Sequence, residues 1–283
     1  MPIDPKTAIG RIELRVADLT AAADFYAEAI GLEPTERDDG RLTLGAGGRE
    51  LVCLTGNPDA PPRPPGTTGL FHVAFLVPDR AELARSLNRL RERRWPLSGT
   101  ADHLVSEALY LSDPEGNGIE IYRDRPREDW PRADGQVRMA TLPLDLDSIR
   151  AELDGGAADP GPVAADTRIG HVHLNVSDLD AAEAFYSGLL GFEVTVRGYP
   201  GARFVSAGGY HHHIGLNTWS SEGGPPPPEG SRGLRSFTVT VPDDNELDRI
   251  EAALREGGAA AERTEAGVAT RDPAGNGVLL ATG

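Results

Sequence analysis

Residues 9–33, IGRIELRVADLTAAADFYAEAIGLE, align without gaps on residues 169–193, IGHVHLNVSDLDAAEAFYSGLLGFE, with 12 identities in 25 positions at a constant offset of 160. Two further pairs follow in the same order: GLFHVAFLVPD (69–79) with GLRSFTVTVPD (233–243), and DPEGNGIEI (113–121) with DPAGNGVLL (272–280). A chain that repeats itself over this length is a tandem duplication, and each copy must build the same unit of structure.

Each half divides again. IELRV alternates as a half-buried strand does, Asp18 is placed to cap a helix, and LTAAADFYAEAIG has helical apolar spacing that ends at Gly31. FHVAFLV leads in the same way through Pro78-Asp79 into RAELARSLNRLRER. Short alternating runs separated by glycine-rich or Asp-Pro turns come after each helix: RLTLGAG and RELVCLT in one segment, ALYLSDPEGNGIEIY in the other. The spacing predicts four βαβββ modules, at roughly 8–55, 69–123, 168–219 and 233–281. Proline-rich PPRPPG (61–66) and PPPPEG (225–230) occupy matching places inside the halves as semi-rigid spacers. The expected division is an N-terminal domain at 1–125, a linker at 126–167 with a short helical stretch LDSIRAEL, and a C-terminal domain at 168–283. The linker is expected to carry little functional information, and the paired glycines at 47–48, 155–156, 208–209, 223–224 and 257–258 are expected to make turns.

Composition narrows the function. The 28 Lys and Arg against 44 Asp and Glu leave a net charge of −16, which argues against nucleic-acid or membrane partners and favours a small-molecule substrate. The single Cys53 excludes an intramolecular disulfide and reads as core filling. The opening MPIDPKTAIG lacks the apolar core of a signal peptide, and no apolar run approaches a membrane span, so a cytoplasmic location is expected.

All seven histidines, His72, His103, His171, His173, His211, His212 and His213, fall in the second and third modules. Two imidazoles and one carboxylate suit a facial Fe(II) site with positions open to a chelating substrate and dioxygen, and His72, His171 and Glu120 supply such a set. Plainer readings exist for each. His72 precedes an apolar strand and could be a packed histidine; Glu120, between Ile119 and Ile121, could face outward. Against this, charged residues are depleted in strands, and the duplicate of Glu120 is Leu279. His171 and His173 share a strand face, so one can bind while the other packs or lines a pocket.

The four modules, the strand-Asp-Leu-helix-Phe-Tyr-Gly opening and the D-P-x-G-N-G turn resemble the vicinal oxygen chelate superfamily of glyoxalase I, bleomycin-resistance proteins and extradiol dioxygenases. The runs DHLVSEALYLSDPEGNGIEIYRDRP and GGYHHHIGLNTW look like its two-domain catechol 2,3-dioxygenase-like members. The resemblance implies an α+β fold of four βαβββ modules in two tandem domains with cupped mixed sheets. It implies metal ligands on the first strand of a module and on a last strand, at positions occupied here by His72, His171 and Glu120. The matching residues of the other two modules are Arg11, Ser236 and Leu279, so the site would need the second and third modules to pair, within one chain or across a dimer. Tyr110 stands ten residues before Glu120, where such dioxygenases keep a tyrosine, and His103 fits an accompanying histidine; the bland alternatives are a half-buried strand aromatic and a loop histidine. An acid-base histidine is implied on the last strand of the third module, where the HHH run is expected. His212 is preferred, then His213, with His211 a bystander. His173, Asn217, Trp219 and Arg123 are weaker candidates for a substrate pocket, each equally readable as packing.

The resulting expectation is an Fe(II)-dependent extradiol dioxygenase for a catechol-like diol, with Mn(II) as the alternative metal and a small aromatic diol and dioxygen as its partners. The rival readings are a glyoxalase-like isomerase or lyase and a non-enzymatic binding protein of the bleomycin-resistance type.

Overall fold

Each module opens with a strand whose last apolar residue runs into a helix capped by an aspartate. In the computed structural model, which describes residues 1–38, 40–133, 136–153 and 161–283, all four capping aspartates use their side chains. Asp18 accepts from the Ala21 amide, Asp79 from Glu82, Asp178 from Ala181 and Asp243 from Glu246, which satisfies amides that the first helical turn leaves orphaned.

The first module comprises β1 (Ala8–Val16), α1 (Leu19–Phe25), β2 (Glu33–Asp38), β3 (Arg41–Ala46) and β4 (Arg49–Gly56). The second comprises β5 (Gly69–Leu76), α2 (Arg80–Glu92), β6 (Gly99–Asp102), β7 (Ser106–Ser112) and β8 (Gly118–Asp124). Between the halves lie a small hairpin of β9 (Arg132–Ala133) and β10 (Gln136–Val137) and the short helix α3 (Leu146–Ala151). The third module has β11 (Arg168–Asn175), α4 (Leu179–Glu183), β12 (Glu193–Val196), β13 (Ala202–Ser206) and β14 (Ile214–Asn217). The fourth has β15 (Gly233–Val241), α5 (Asp244–Glu256), β16 (Glu262–Thr264), β17 (Gly267–Arg271) and β18 (Gly277–Thr282). The four expected βαβββ modules are therefore present. The paired glycines make turns at the four described places, and the pair at 155–156 lies outside the described residues.

The strands pair side by side in the orders β12-β13-β14-β11, β5-β8-β7-β6, β16-β17-β18-β15 and β4-β3-β2. Within the modules β5 pairs parallel to β8, β11 to β14 and β15 to β18, while β2 with β3, β3 with β4, β6 with β7, β7 with β8, β12 with β13, β13 with β14, β16 with β17 and β17 with β18 are antiparallel. Contacts group the chain into two compact units, Met1–Leu14 with Pro61–Phe71 and Gly170–Gly283, and Arg15–Ala60 with His72–Ile169. The core of the first includes Ile12, Val172, Tyr186, Phe237 and Ile250, and that of the second Phe25, Tyr26, Phe75, Leu83 and Ile121, all buried. Cys53 is buried there as expected, with its sulfur accepting from Arg41 Nε at 2.8 Å.

The motif shared by the halves has a common structural cause. After α1 and α4 the chain widens into a π-helical turn, at Tyr26–Ile30 and Ala184–Leu189, and leaves it through Gly31 (φ 89°) and Gly191 (φ 96°). The buried Tyr26 hydroxyl donates to Asp113 Oδ2 at 3.1 Å, and Tyr186 to Asp272 Oδ2 at 2.9 Å. Each aspartate also folds its own D-P-x-G-N-G turn: Asp113 accepts from the amides of Glu115 and Asn117 and from Asn117 Nδ2, and Asp272 from Ala274, Asn276 and Asn276 Nδ2. In each half, then, the first helix of one module is tied to the last turn of the other. No helix among the described residues is long and apolar enough to cross a membrane.

Candidate metal centre

In the second module β5 and β8 run parallel with Ala74 opposite Glu120, and β7 runs antiparallel to β8 with Tyr110 opposite Glu120. Alternation puts His72, Ala74, Leu76, Ala108, Tyr110, Glu120 and Tyr122 on one face. Ala74, Leu76, Ala108 and Tyr122 form an apolar cluster with Tyr110 against it. Beside that cluster His72 Nε2 lies 3.0 Å from Glu120 Oε2, with both side chains buried. Burying a carboxylate among apolar groups costs several kcal/mol unless a cation or donors compensate it, so an imidazole and a carboxylate placed together here suit metal coordination.

Tyr110 extends this arrangement. Its ring centroid is 5.7 Å from that of His72, and its hydroxyl is 2.7 Å from His103 Nε2. His103 Nδ1 lies 2.7 Å from the carbonyl oxygen of Ala140. A carbonyl can only accept, so Nδ1 carries the proton; in the neutral ring Nε2 is then the acceptor and the Tyr110 hydroxyl the donor. His103 reaches this position because Asp102 Oδ1 accepts from the Leu104 amide and Leu104 takes a left-handed φ of 69°, which returns the chain at once into β7. The segment expected to be an uninformative linker therefore contributes: Ala140 fixes the His103 tautomer, and Leu142 bridges to Asp102. Its signal was absent from the sequence because a backbone carbonyl carries no residue identity.

The third module places its histidines differently from one another. His171 and His173 are buried on β11, on the face shared with Gly215 and Asn217 of β14. The histidine run, expected on the last strand, lies in the turn just before it: β14 begins at Ile214. Gly208 (φ 60°) and Gly209 (φ 67°) bend the chain there, so strict alternation does not govern the three side chains. The His212 ring stands 4.1 Å from that of His171 and 4.8 Å from Phe204. His213 turns elsewhere; its Nδ1 accepts from the Ala207 amide at 3.1 Å and lies 3.0 Å from Ser206 Oγ. His211, ranked last from the sequence, is the one whose Nδ1 meets His212 Nδ1, at 2.8 Å.

Among the expected pocket residues, His173 packs edge-on against Phe71 (5.1 Å) and is 5.3 Å from Trp219, while Phe71 and Trp219 are 5.2 Å apart. A Cβ on Gly215 would come within 2.8 Å of the His173 ring, so only glycine admits this packing. Asn217 is buried, and its Oδ1 accepts from the Trp219 amide. Phe71 and Trp219 are exposed at 39% and 48%, a pair of rings that sequence reasoning found only in part, since it had no reason to single out Phe71. Arg123 is corrected: it pairs with Glu107, at 2.6 Å through Nε, on the face of β8 opposite Glu120, because position 123 differs from 120 by an odd number of residues. Glu107 also receives Arg80 and Arg125, so this cluster anchors β7 to α2 and is structural.

With this geometry in place, the comparisons define the class. The model of the Glyoxalase/Bleomycin resistance protein/Dioxygenase superfamily matches residues 8–121 and 168–280, and the chain belongs to that family as two tandem domains. It is a homologue of the catechol-2,3-dioxygenase of Bacillus subtilis (strain 168), 44% identical over 276 residues that span 96% of this chain and 95% of that one. Biphenyl-2,3-diol 1,2-dioxygenase 3 of Rhodococcus globerulus is 28% identical over 127 residues, 44% of this chain and 66% of that protein. The fold alone is shared with crystal structures of a Bacillus subtilis protein (TM-score 0.68, 16% identity, covering all of this chain and 86% of that one) and of glyoxalase I from Zea mays (TM-score 0.58, 17% identity, covering 97% and 92%).

Proposed function

We propose that the protein is an extradiol ring-cleaving dioxygenase acting on a catechol-like diol, with His72, His171 and Glu120 each giving one ligand atom to Fe(II) and with Mn(II) as the alternative ion. The observation that carries the reading is the buried His72–Glu120 pair at 3.0 Å, with Tyr110 and His103 in a bonded line beside it. Extensive identity to a catechol-2,3-dioxygenase supports the same chemistry, and the acidic balance of the chain suits a cytoplasmic enzyme of small aromatic diols.

The donor set fits such an ion: two imidazole nitrogens and a carboxylate oxygen, all from buried side chains. Held by these three residues, the metal would supply Lewis acidity toward a diol and redox chemistry toward dioxygen. The chain supplies the rest. Glu120 balances part of the ion's charge in surroundings that exclude water. His212, the member of the run beside His171, takes and returns a diol proton at a ring nitrogen. Because the Tyr110 hydroxyl donates to His103, its oxygen keeps lone pairs to accept a hydrogen bond from substrate, and His103 positions it. The apolar cluster of Ala74, Leu76, Ala108 and Tyr122 backs the His72–Glu120 pair on the same face of the sheet.

Anaerobic loading with Fe(II), followed by oxygen uptake and ring-fission absorbance over a panel of catechols and hydroquinones, tests the activity. Stoichiometric oxygen consumption with ring opening is expected; turnover of a hemithioacetal without oxygen uptake would overturn the reading in favour of a glyoxalase-like enzyme. Glu120→Ala and His72→Ala are expected to lose iron binding, and full retention would place the metal elsewhere.

A further inference from the structure

We propose that His211 is a positioning residue that holds the His212 ring in one orientation and one tautomer, an inference that rests on the dioxygenase reading for its use of His212. Neighbouring residues in a strand face opposite ways, so adjacent imidazoles rarely meet. Here they meet at Nδ1 and Nδ1, 2.8 Å apart, because the run sits in the bend after Gly208 and Gly209. The bend is held: a Cβ at Gly208 would fall 2.5 Å from the Pro5 carbonyl oxygen, and the His211 carbonyl accepts from Thr195 Oγ1 at 2.7 Å. His211 itself is buried at 1% exposure, with the Tyr210 ring 4.1 Å away and tilted 34° across it.

A bond between two Nδ1 atoms needs one proton and one lone pair, so the two neutral rings must be opposite tautomers. His212 can act as a base toward a diol only if Nε2 holds the lone pair, because Nδ1 is engaged by His211. The shared proton then belongs to His212 Nδ1, and His211 accepts it. His211 thus does for His212 what the Ala140 carbonyl does for His103, setting which nitrogen faces the chemistry. Contacts with His171 and Phe204 flank the His212 ring, and the bond to His211 fixes which way its Nδ1 points.

Two measurements test this. In two-bond 1H–15N correlation spectra of the full chain before metal loading, His212 is expected as the Nδ1–H tautomer, shifting toward Nε2–H in His211→Phe; an Nε2–H tautomer in the native chain would overturn the proposal. In steady-state oxygen uptake, His211→Phe, which keeps an aromatic ring on Tyr210, is expected to lower kcat about 10- to 100-fold with KM changed less than about twofold. His211→Asn, whose Oδ1 can accept where Nδ1 did, is expected to recover to within about fivefold of the native rate. Unchanged kcat in His211→Phe, or equal loss in both variants, would refute the positioning role. If the native protein consumes no oxygen with any diol, the dioxygenase reading fails, while the tautomer spectra still decide whether His211 orients His212.

Discussion

At the scale of single residues, the informative positions were those where a polar group stood in an apolar strand. Glu120 between two isoleucines stood out as a charge in a strand whose duplicate is Leu279, His72 was singled out by its pairing with Glu120 at the positions the family resemblance implies, and the fold places them 3.0 Å apart. Tyr110 came only from the family resemblance, and the register of β7 and β8 puts it directly opposite Glu120. The partners of these residues were not legible. Ala140 acts through its carbonyl, and His211 acts because of a backbone bend; neither leaves a mark in side-chain type. Removing the hydroxyl in Tyr110→Phe deletes the group His103 holds while keeping the ring on the apolar cluster. The variant is expected to bind metal as the native protein does and to lose about 10- to 100-fold in kcat, checked by metal titration beside oxygen uptake. An unchanged kcat would make Tyr110 a packing residue only.

At the scale of elements, capping aspartates and alternation identified the strands and helices well, since both signals are local. Two expectations failed, at the histidine run and at Arg123. At the run, two left-handed glycines interrupt the period before β14; at Arg123 the pocket reading ran against alternation itself, since counting along β8 from Glu120 places Arg123 on the other face with Glu107. The D-P-x-G-N-G turn shows how a motif can be structural in full. Burial raises the carboxyl pKa of Asp113 above the ordinary aspartate range, opposed by hydrogen bonds from Asn117, Tyr26 and Glu115, and Asp272 is raised in the same way. A carboxyl with a raised folded-state pKa contributes stability that is complete below its unfolded pKa and is lost as pH rises through the folded value. Urea unfolding of the native protein and of Asp113→Asn, compared between about pH 4 and pH 6, is therefore expected to show the native chain losing ground to the variant as pH rises. A constant difference across that window would mean that Asp113 titrates normally.

At the scale of the whole molecule, the duplication made the architecture readable: two copies of a module pair cannot differ in fold when 12 of 25 residues are shared at fixed offset. The same comparison exposed the asymmetry of function, since Arg11, Ser236 and Leu279 stand where the other modules carry His171, His72 and Glu120. The tyrosine-to-aspartate ties are what both halves kept. Each spans a long stretch of chain, 87 residues from Tyr26 to Asp113 and 86 from Tyr186 to Asp272. A tie of that reach makes local opening a shared event, because the π-helical turn cannot swing out without freeing the distant D-P-x-G-N-G turn. Amide hydrogen exchange followed by mass spectrometry should then find peptides around Tyr26 and around Asn117 exchanging at one rate, and Tyr26→Phe should accelerate both together. Separate rates in the native chain would show that the two modules of a half open independently.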